Sequence, residues 1–197
     1  AGKVAIQRKM VRSMTPILGV LSSLYEGPTG LEGWTIGRGQ TGWKYDNGAF
    51  STTRQCAIGR DFKLPAASTI EFDLAWRGQL QLLTSFYTDS FENYGYNSDC
   101  YMININSGYV YLQRMMRSGG QTQLGQAQIP SLTQKSKVRI GLRSNKEQGT
   151  VSLLVDGNLA QQWKDPAGFA GKGGGVCFFS QGNGFTKLSN IRISEWD

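Results

Sequence analysis

The sequence predicts an all-β protein, a two-sheet antiparallel β-sandwich. Three observations carry that expectation. Short runs that alternate apolar and polar residues recur from Tyr25 onward. Gly, Asn and Asp punctuate them at intervals of about ten residues, the spacing of sandwich strands and turns. Apolar periodicity of the helical kind, sustained over ten or more residues, is nearly absent.

Residues 3–14 (KVAIQRKMVRSM) alternate imperfectly, with Val4, Ile6 and Met10 against Lys3, Gln7 and Lys9. They read as one or two short strands of different composition from the rest. Residues 1–23 are therefore set apart as an N-terminal strand or leader, or the tail of a preceding domain, and residues 24–197 as the sandwich domain. Asp46-Asn47-Gly48 and Asp156-Gly157-Asn158 are the strongest hairpin signals, because Asn-Gly and Asp-Gly reach positive φ cheaply.

Alternation then assigns faces to each later run. In IEFDLAWRG, Phe72, Leu74 and Trp76 oppose Glu71, Asp73 and Arg77. In GYVYLQR, Val110 and Leu112 oppose Tyr109, Tyr111 and Gln113. Val138, Ile140 and Leu142 oppose Arg139 and Arg143; Val151, Leu153 and Val155 share a face; Ile191 and Ile193 oppose Arg192 and Ser194. Burying one face of each strand gathers about twenty large side chains at ~1.5–3 kcal/mol each, enough without a metal or disulfide.

Composition excludes several functions. The chain of 197 residues has no His, which removes His-based triads and His-ligated zinc. Cys56, Cys100 and Cys177 lie far apart with no CxxC, so a Cys-built metal site is not expected; one disulfide plus a free thiol, or three buried thiols, both fit. The net charge of +7 draws on Lys3, Arg8, Lys9 and Arg12, and the remainder holds 17 basic against 14 acidic residues. Those charges are scattered singly, without the basic run or aromatic-basic groove of a nucleic-acid binder. No cleavable signal peptide is visible at the start, and Pro16–Leu24 is too short to span a bilayer.

Four segments carry a family resemblance. VSLLVDGNLAQQW resembles the strand-turn-strand of laminin-G and concanavalin A-like jelly rolls, and GFTKLSNIRISEWD is similar to their closing strand. LYEGPTGLEGWTIGRGQTGWKYDNGAFST, with Gly30, Gly33-Trp34 and Trp43 to Gly48, resembles the opening of bacterial domains related to the 3-keto-disaccharide hydrolases. Gly59 to Pro65 resembles a run in envelope-associated proteins of planctomycetes and verrucomicrobia. The resemblance covers residues 24–197 and implies a concanavalin A-like jelly roll in a secreted or cell-envelope (periplasmic) bacterial protein. It implies no single activity, since the fold hosts lectins, hydrolases and adhesive modules.

Hydrolase chemistry of the family-16 type needs paired carboxylates on one strand face. Glu71-Phe72-Asp73-Leu74-Ala75-Trp76 supplies two acids and lacks the third, so no catalytic residue is assigned. Cys177, among apolar strand residues, is expected to be buried and inert. The Gly-rich runs 118–121 and 171–175 lack phosphate-loop spacing and read as connections between strands.

Binding is the stronger expectation. Sugar sites use aromatic rings on C–H faces, with amides and carboxylates toward the hydroxyls. The segment 87–101 offers Tyr87, Tyr94, Tyr96, Asn97 and Asp99 between two strand patterns, the place where loops carry recognition. A second candidate is a trough made of Tyr109, Tyr111, Gln113, Glu71, Asp73 and Arg77, if their strands neighbour one another. No cofactor is expected beyond calcium, for which Asp89, Glu92 and Asp99 are the candidate oxygen ligands. The five Trp, at 34, 43, 76, 163 and 196, are assigned to core and sheet-edge packing. The expected partners are an oligosaccharide or cell-surface glycan, and other domains of a longer parent protein. Two further readings stand beside it: a structural or assembly module, and a glycoside hydrolase-like enzyme.

Overall fold

A computed structural model describes residues 20–37, 42–92 and 97–196. The expected strands of segment 3–14 lie outside the described residues. In chain order the strands are β1 (Val20–Gly27), β2 (Thr35–Ile36), β3 (Lys44–Asp46), β4 (Ala49–Thr52), β5 (Cys56–Asp61), β6 (Ala67–Arg77), β7 (Gln81–Thr88) and β8 (Cys100–Asn106). They continue with β9 (Tyr109–Met115), β10 (Gln121–Gln128), β11 (Lys137–Asn145), β12 (Thr150–Val155), β13 (Asn158–Lys164), β14 (Gly175–Ser180) and β15 (Phe185–Trp196). A single helical turn, Ser131–Gln134, bridges β10 and β11.

These strands form two antiparallel sheets. The first runs β13-β12-β11-β6-β15-β4-β3, with β1 also paired to β15; the second runs β10-β9-β8-β7-β14-β5-β2. The sandwich expected from alternation is the fold. Both strong hairpin signals form: Asn47 and Gly48 at φ 44° and 78° join β3 to β4, and Asp156 and Gly157 at φ 50° and 80° join β12 to β13. Positive φ at both central residues matches the right-handed twist of the flanking strands.

The core fills the space between the sheets. Ile70, Phe72, Leu74 and Trp76 of β6 and Val138, Ile140 and Leu142 of β11 are buried from one side. Leu82 and Phe86 of β7, Ile103 and Ile105 of β8 and Phe178 of β14 are buried from the other. Phe72 and Phe178 meet edge to face across the interface, ring centroids 5.1 Å apart. The tryptophans pack as expected: Trp34 stands against Phe50 at 5.0 Å, and Trp43 donates its indole N–H to the Cys56 carbonyl at 2.9 Å. Trp163 closes one edge, its indole lying flush against Gly125 of β10, where a Cβ has no room. Of the two cysteine arrangements left open, the structure has three buried free thiols.

One end of the sandwich is closed by a buried polar knot. Tyr101 Oη donates to Asp165 Oδ2 at 2.8 Å and accepts from the Ala170 N–H at 2.9 Å. Arg114 reaches Asp165 Oδ1 at 2.6 Å, and the Ala167 N–H reaches the same oxygen at 3.0 Å. The knot anchors the 165–170 turn. The Gly-rich run that follows lies against the end of β7: Gly173 N–H donates to the Tyr87 carbonyl, and a Cβ on Gly173 would overlap the backbone of Thr88 and Asp89.

Candidate functional site

The outer face of the second sheet has an unusual chemistry that follows from its register. Directly paired residues share a face, so one rung reads Ala57, Phe179, Leu83, Asn104, Tyr111 and Gln126 from β5 to β10. The next reads Gly59, Cys177, Ser85, Met102, Gln113 and Gln123. Flanking rungs add Met115 paired with Gln121, and Tyr109 paired with Gln128. From β14 across to β10 this face carries no Asp, Glu, Lys or Arg among the described residues. It is a field of carboxamides, two tyrosines and apolar side chains.

The apolar part is a small second core. Ala57, Leu83, Cys100, Met102, Met115, Cys177 and Phe179 are buried together on this outer side, and Phe91 packs on them from the loop after β7. Phe91 can lie flat there because Gly59 and Gly175 beneath it have no Cβ. Burial pushes the Cys100 thiol up to about 11 and raises Cys177 further, so neither is a ready nucleophile.

Beside this cluster opens a cavity of about 280 Å³ lined by Leu83, Met102, Met115, Met116 and Phe179, with Asn97, Gln121 and Gln181 at its rim. The rim amides are exposed while Leu83, Met102, Met115 and Phe179 form a nearly buried floor. Tyr109 and Tyr111 stand further along the same face, their rings 6.2 Å apart and tilted by 30°. Tyr109 is 40% exposed and its hydroxyl accepts from Gln128 Nε2 at 3.4 Å. Asn104, between Leu83 and Tyr111 in the rung, keeps a covered Oδ1 with no hydrogen-bond partner among the described residues.

The sequence-predicted residues divide. Tyr109, Tyr111 and Gln113 lie on this face, and Asn97 is at the cavity rim. Glu71, Asp73 and Arg77 do not join them: β6 belongs to the other sheet, and these side chains point outward on the opposite side of the sandwich. The single trough expected from the two strands is therefore corrected. There Asp73 receives Arg139 at 3.1 Å and Asn190 Nδ2 at 2.6 Å, and the Arg77 guanidinium covers Phe185 at 4.7 Å.

Tyr87 is also corrected. It is fully buried, with its hydroxyl donating to the Pro65 carbonyl at 2.7 Å and 2.8 Å from Ser68 Oγ. A bulge in the β7–β14 pairing, with Tyr87 at φ 54°, turns it inward, and burial pushes its hydroxyl up to about 12. Tyr94 and Tyr96 lie outside the described residues.

The three acids considered for calcium are not gathered into one ligand set. Asp89 pairs with Arg117. Asp99 accepts the Arg117 N–H at 3.0 Å and faces Lys172 Nζ at 3.3 Å, and these two contacts, the backbone one first, hold its carboxyl below the usual range. Among the described residues no group of three Cys, Asp or Glu stands close enough to hold a metal ion. Sequence reasoning missed Gln121, Gln181, Met102, Met115 and Phe179. A signal existed: QTQLGQAQ places Gln at 121, 123, 126 and 128, an alternating amide strand broken by one bulge between Gln123 and Gly125.

No protein-family model matches the chain, and no curated protein matches it in sequence. Solved structures match it in fold. A Bacillus subtilis protein of unknown function with a galectin-like fold superposes with TM-score 0.68 at 14% identity, covering 90% of this chain and 97% of its own. The carbohydrate-recognition domain of Emp47p follows at TM-score 0.65 and 12% identity, covering 89% and 97%. The carbohydrate-binding module CBM66 of Bacillus subtilis gives 0.60 and 14%, covering 83% and 96%. At these identities the likeness speaks to the fold: a galectin-like, jelly-roll sandwich.

Proposed function

We propose that this chain is a glycan-binding module of the lectin type, without a catalytic role, and that the outer face of the second sheet holds the oligosaccharide. One observation carries the reading. Among the described residues a charge-free face presents Tyr109 and Tyr111, a series of carboxamides and a cavity with an apolar floor together. Tyrosine rings and thioethers suit the C–H faces of sugars, and carboxamides both donate to and accept from hydroxyls. The galectin-like neighbours, two of them described as carbohydrate-binding, support the reading. The resemblance of Gly30, Gly33-Trp34 and Gly59–Pro65 to bacterial envelope domains supports a place in a secreted or cell-envelope protein.

The test is a glycan array probed with the wild type, with Tyr109→Ala/Tyr111→Ala and with Arg77→Ala on the opposite sheet. Two aromatic contacts at roughly 0.5–1.5 kcal/mol each predict a loss on the order of tenfold or more in the tyrosine variant. Arg77→Ala should leave binding unchanged. Wild-type binding that the tyrosine variant retains would refute the assignment of the face.

An assembly role draws on a different feature. β13 is an edge strand, and Leu159 on it is 64% exposed, which favours strand-to-strand association. Sedimentation equilibrium of the wild type against Leu159→Lys tests it; a monomer in both would remove that support.

A further inference from the structure

We infer that the cavity over Leu83, Met102, Met115 and Phe179 is a subsite for an N-acetylated sugar unit of a neutral glycan. The inference rests on the glycan-binding reading above and goes beyond it by naming the substituent that the cavity selects.

The floor and the rim ask for different chemistry. Leu83, Met102, Met115 and Phe179 offer no hydrogen-bonding group stronger than a thioether, and each is at most 6% exposed. A sugar hydroxyl lowered onto that floor would give up water without gaining a partner. A methyl group has no such penalty and gains contact with the Phe179 ring and the adaptable methionines.

The rim answers the other half of the group. Asn97, Gln121 and Gln181 are exposed, line the cavity, and their side-chain amides make no hydrogen bond among the described residues. Each can donate and accept at once. An acetamido group has the matching shape: a methyl for the floor, and an N–H and a carbonyl for the rim. A hydroxyl in its place uses at most the rim and leaves the floor wet.

Charge sharpens the choice. Among the described residues no charged side chain lines the cavity, so the ammonium of an unacetylated amino sugar would be desolvated without a counter-ion from them. At about 280 Å³ the cavity sits near the lower end of small-ligand sites, the scale of one substituted ring. Tyr111 is in the same rung as Phe179 and Leu83, with Asn104 between, so the chain would continue from the cavity onto the tyrosine pair.

The experiment uses the whole chain and matched oligosaccharides: the tetrasaccharide of N-acetylglucosamine, its de-N-acetylated counterpart and the glucose tetrasaccharide. Array pairs that differ at one ring carbon, acetamido against hydroxyl, extend it to other sugar stereochemistries. The acetamido member of a bound pair should be preferred by on the order of tenfold or more, the discrimination an apolar pocket obtains from a small added group. Gln121→Ala/Gln181→Ala alters exposed side chains only and should bring that ratio toward one. Tyr109→Ala/Tyr111→Ala should weaken both members and leave the ratio standing. Equal binding within pairs, still lost in the tyrosine variant, overturns the acetamido subsite while the glycan-binding reading survives. No binding to any glycan by the wild type overturns both.

Discussion

The buried knot at Asp165 makes the most quantitative prediction. The Asp165 side chain is 1% exposed, and its two oxygens are held by Arg114, the Ala167 N–H and the Tyr101 hydroxyl. Replacing Arg114 by Met keeps the apolar stem, which is mostly covered, and deletes the charge. The carboxylate then remains buried with its cationic partner gone. Breaking a buried pair from one side costs about 3–5 kcal/mol, because the surviving charge stays desolvated. For a chain of this size each kcal/mol lowers Tm by roughly 2–4 °C, so Arg114→Met should melt about 6–20 °C below wild type. Asp165→Asn in the Arg114→Met background removes the stranded charge and should recover part of the loss. Urea unfolding of the wild type, both single variants and the double variant closes the cycle and gives the coupling directly. A cost below about 1 kcal/mol for Arg114→Met, the value of an exposed pair, would refute the claim that this end of the sandwich depends on a buried charge.

Other consequences can be checked alongside. Gly173→Ala should destabilise by at least the ~1–3 kcal/mol of ordinary overpacking, since the new methyl meets the Thr88 and Asp89 backbone; thermal melts report it. Cys56, Cys100 and Cys177 should resist a thiol reagent in the native protein and all react in denaturant, because each is buried and free; fast native labelling would contradict their placement. Asp156 is held below its ordinary value first by the Arg139 N–H and then by Lys135. Its contribution is present above the unfolded carboxyl pKa and fades as pH falls through the lowered one. Asp156→Asn should therefore have a lower urea midpoint than wild type at neutral pH, with the gap closing as pH falls below the ordinary carboxylate range.

Local pattern determined much of this protein. Period-two alternation assigned Phe72, Leu74 and Trp76, and equally Val138, Ile140 and Leu142, to the core side, where they are buried. That works because successive strand side chains must point to opposite faces whatever the strand pairs with. The Asn47-Gly48 and Asp156-Gly157 turns were legible for a similar reason: positive φ is a property of the residues themselves. Partnership was not legible. Glu71 and Asp73 look as suited to a trough as Tyr111 and Gln113, yet β6 pairs with β11 and β15 while β9 pairs with β8 and β10. Which strands meet depends on contacts between residues distant in sequence, and alternation is silent about them.

Tyr87 shows the same boundary within one strand. Alternation counted from Leu83 and Ser85 places it on the outer face. A one-residue bulge against β14 reverses that side, since a slip of one position exchanges the faces of a strand. The cavity is the largest instance. Leu83, Met102, Met115 and Phe179 come from four strands, and Asn97, Gln121 and Gln181 from three connections or strand ends. Each is an unremarkable apolar or amide residue in its own segment. Composition and alternation by themselves determined a sandwich and the core-facing side of strands such as β6, β9 and β11. Only the tertiary register brought the uncharged outward sides of β14, β7, β8, β9 and β10 into one continuous face, because a surface shared by strands exists only once hydrogen bonding has fixed their order.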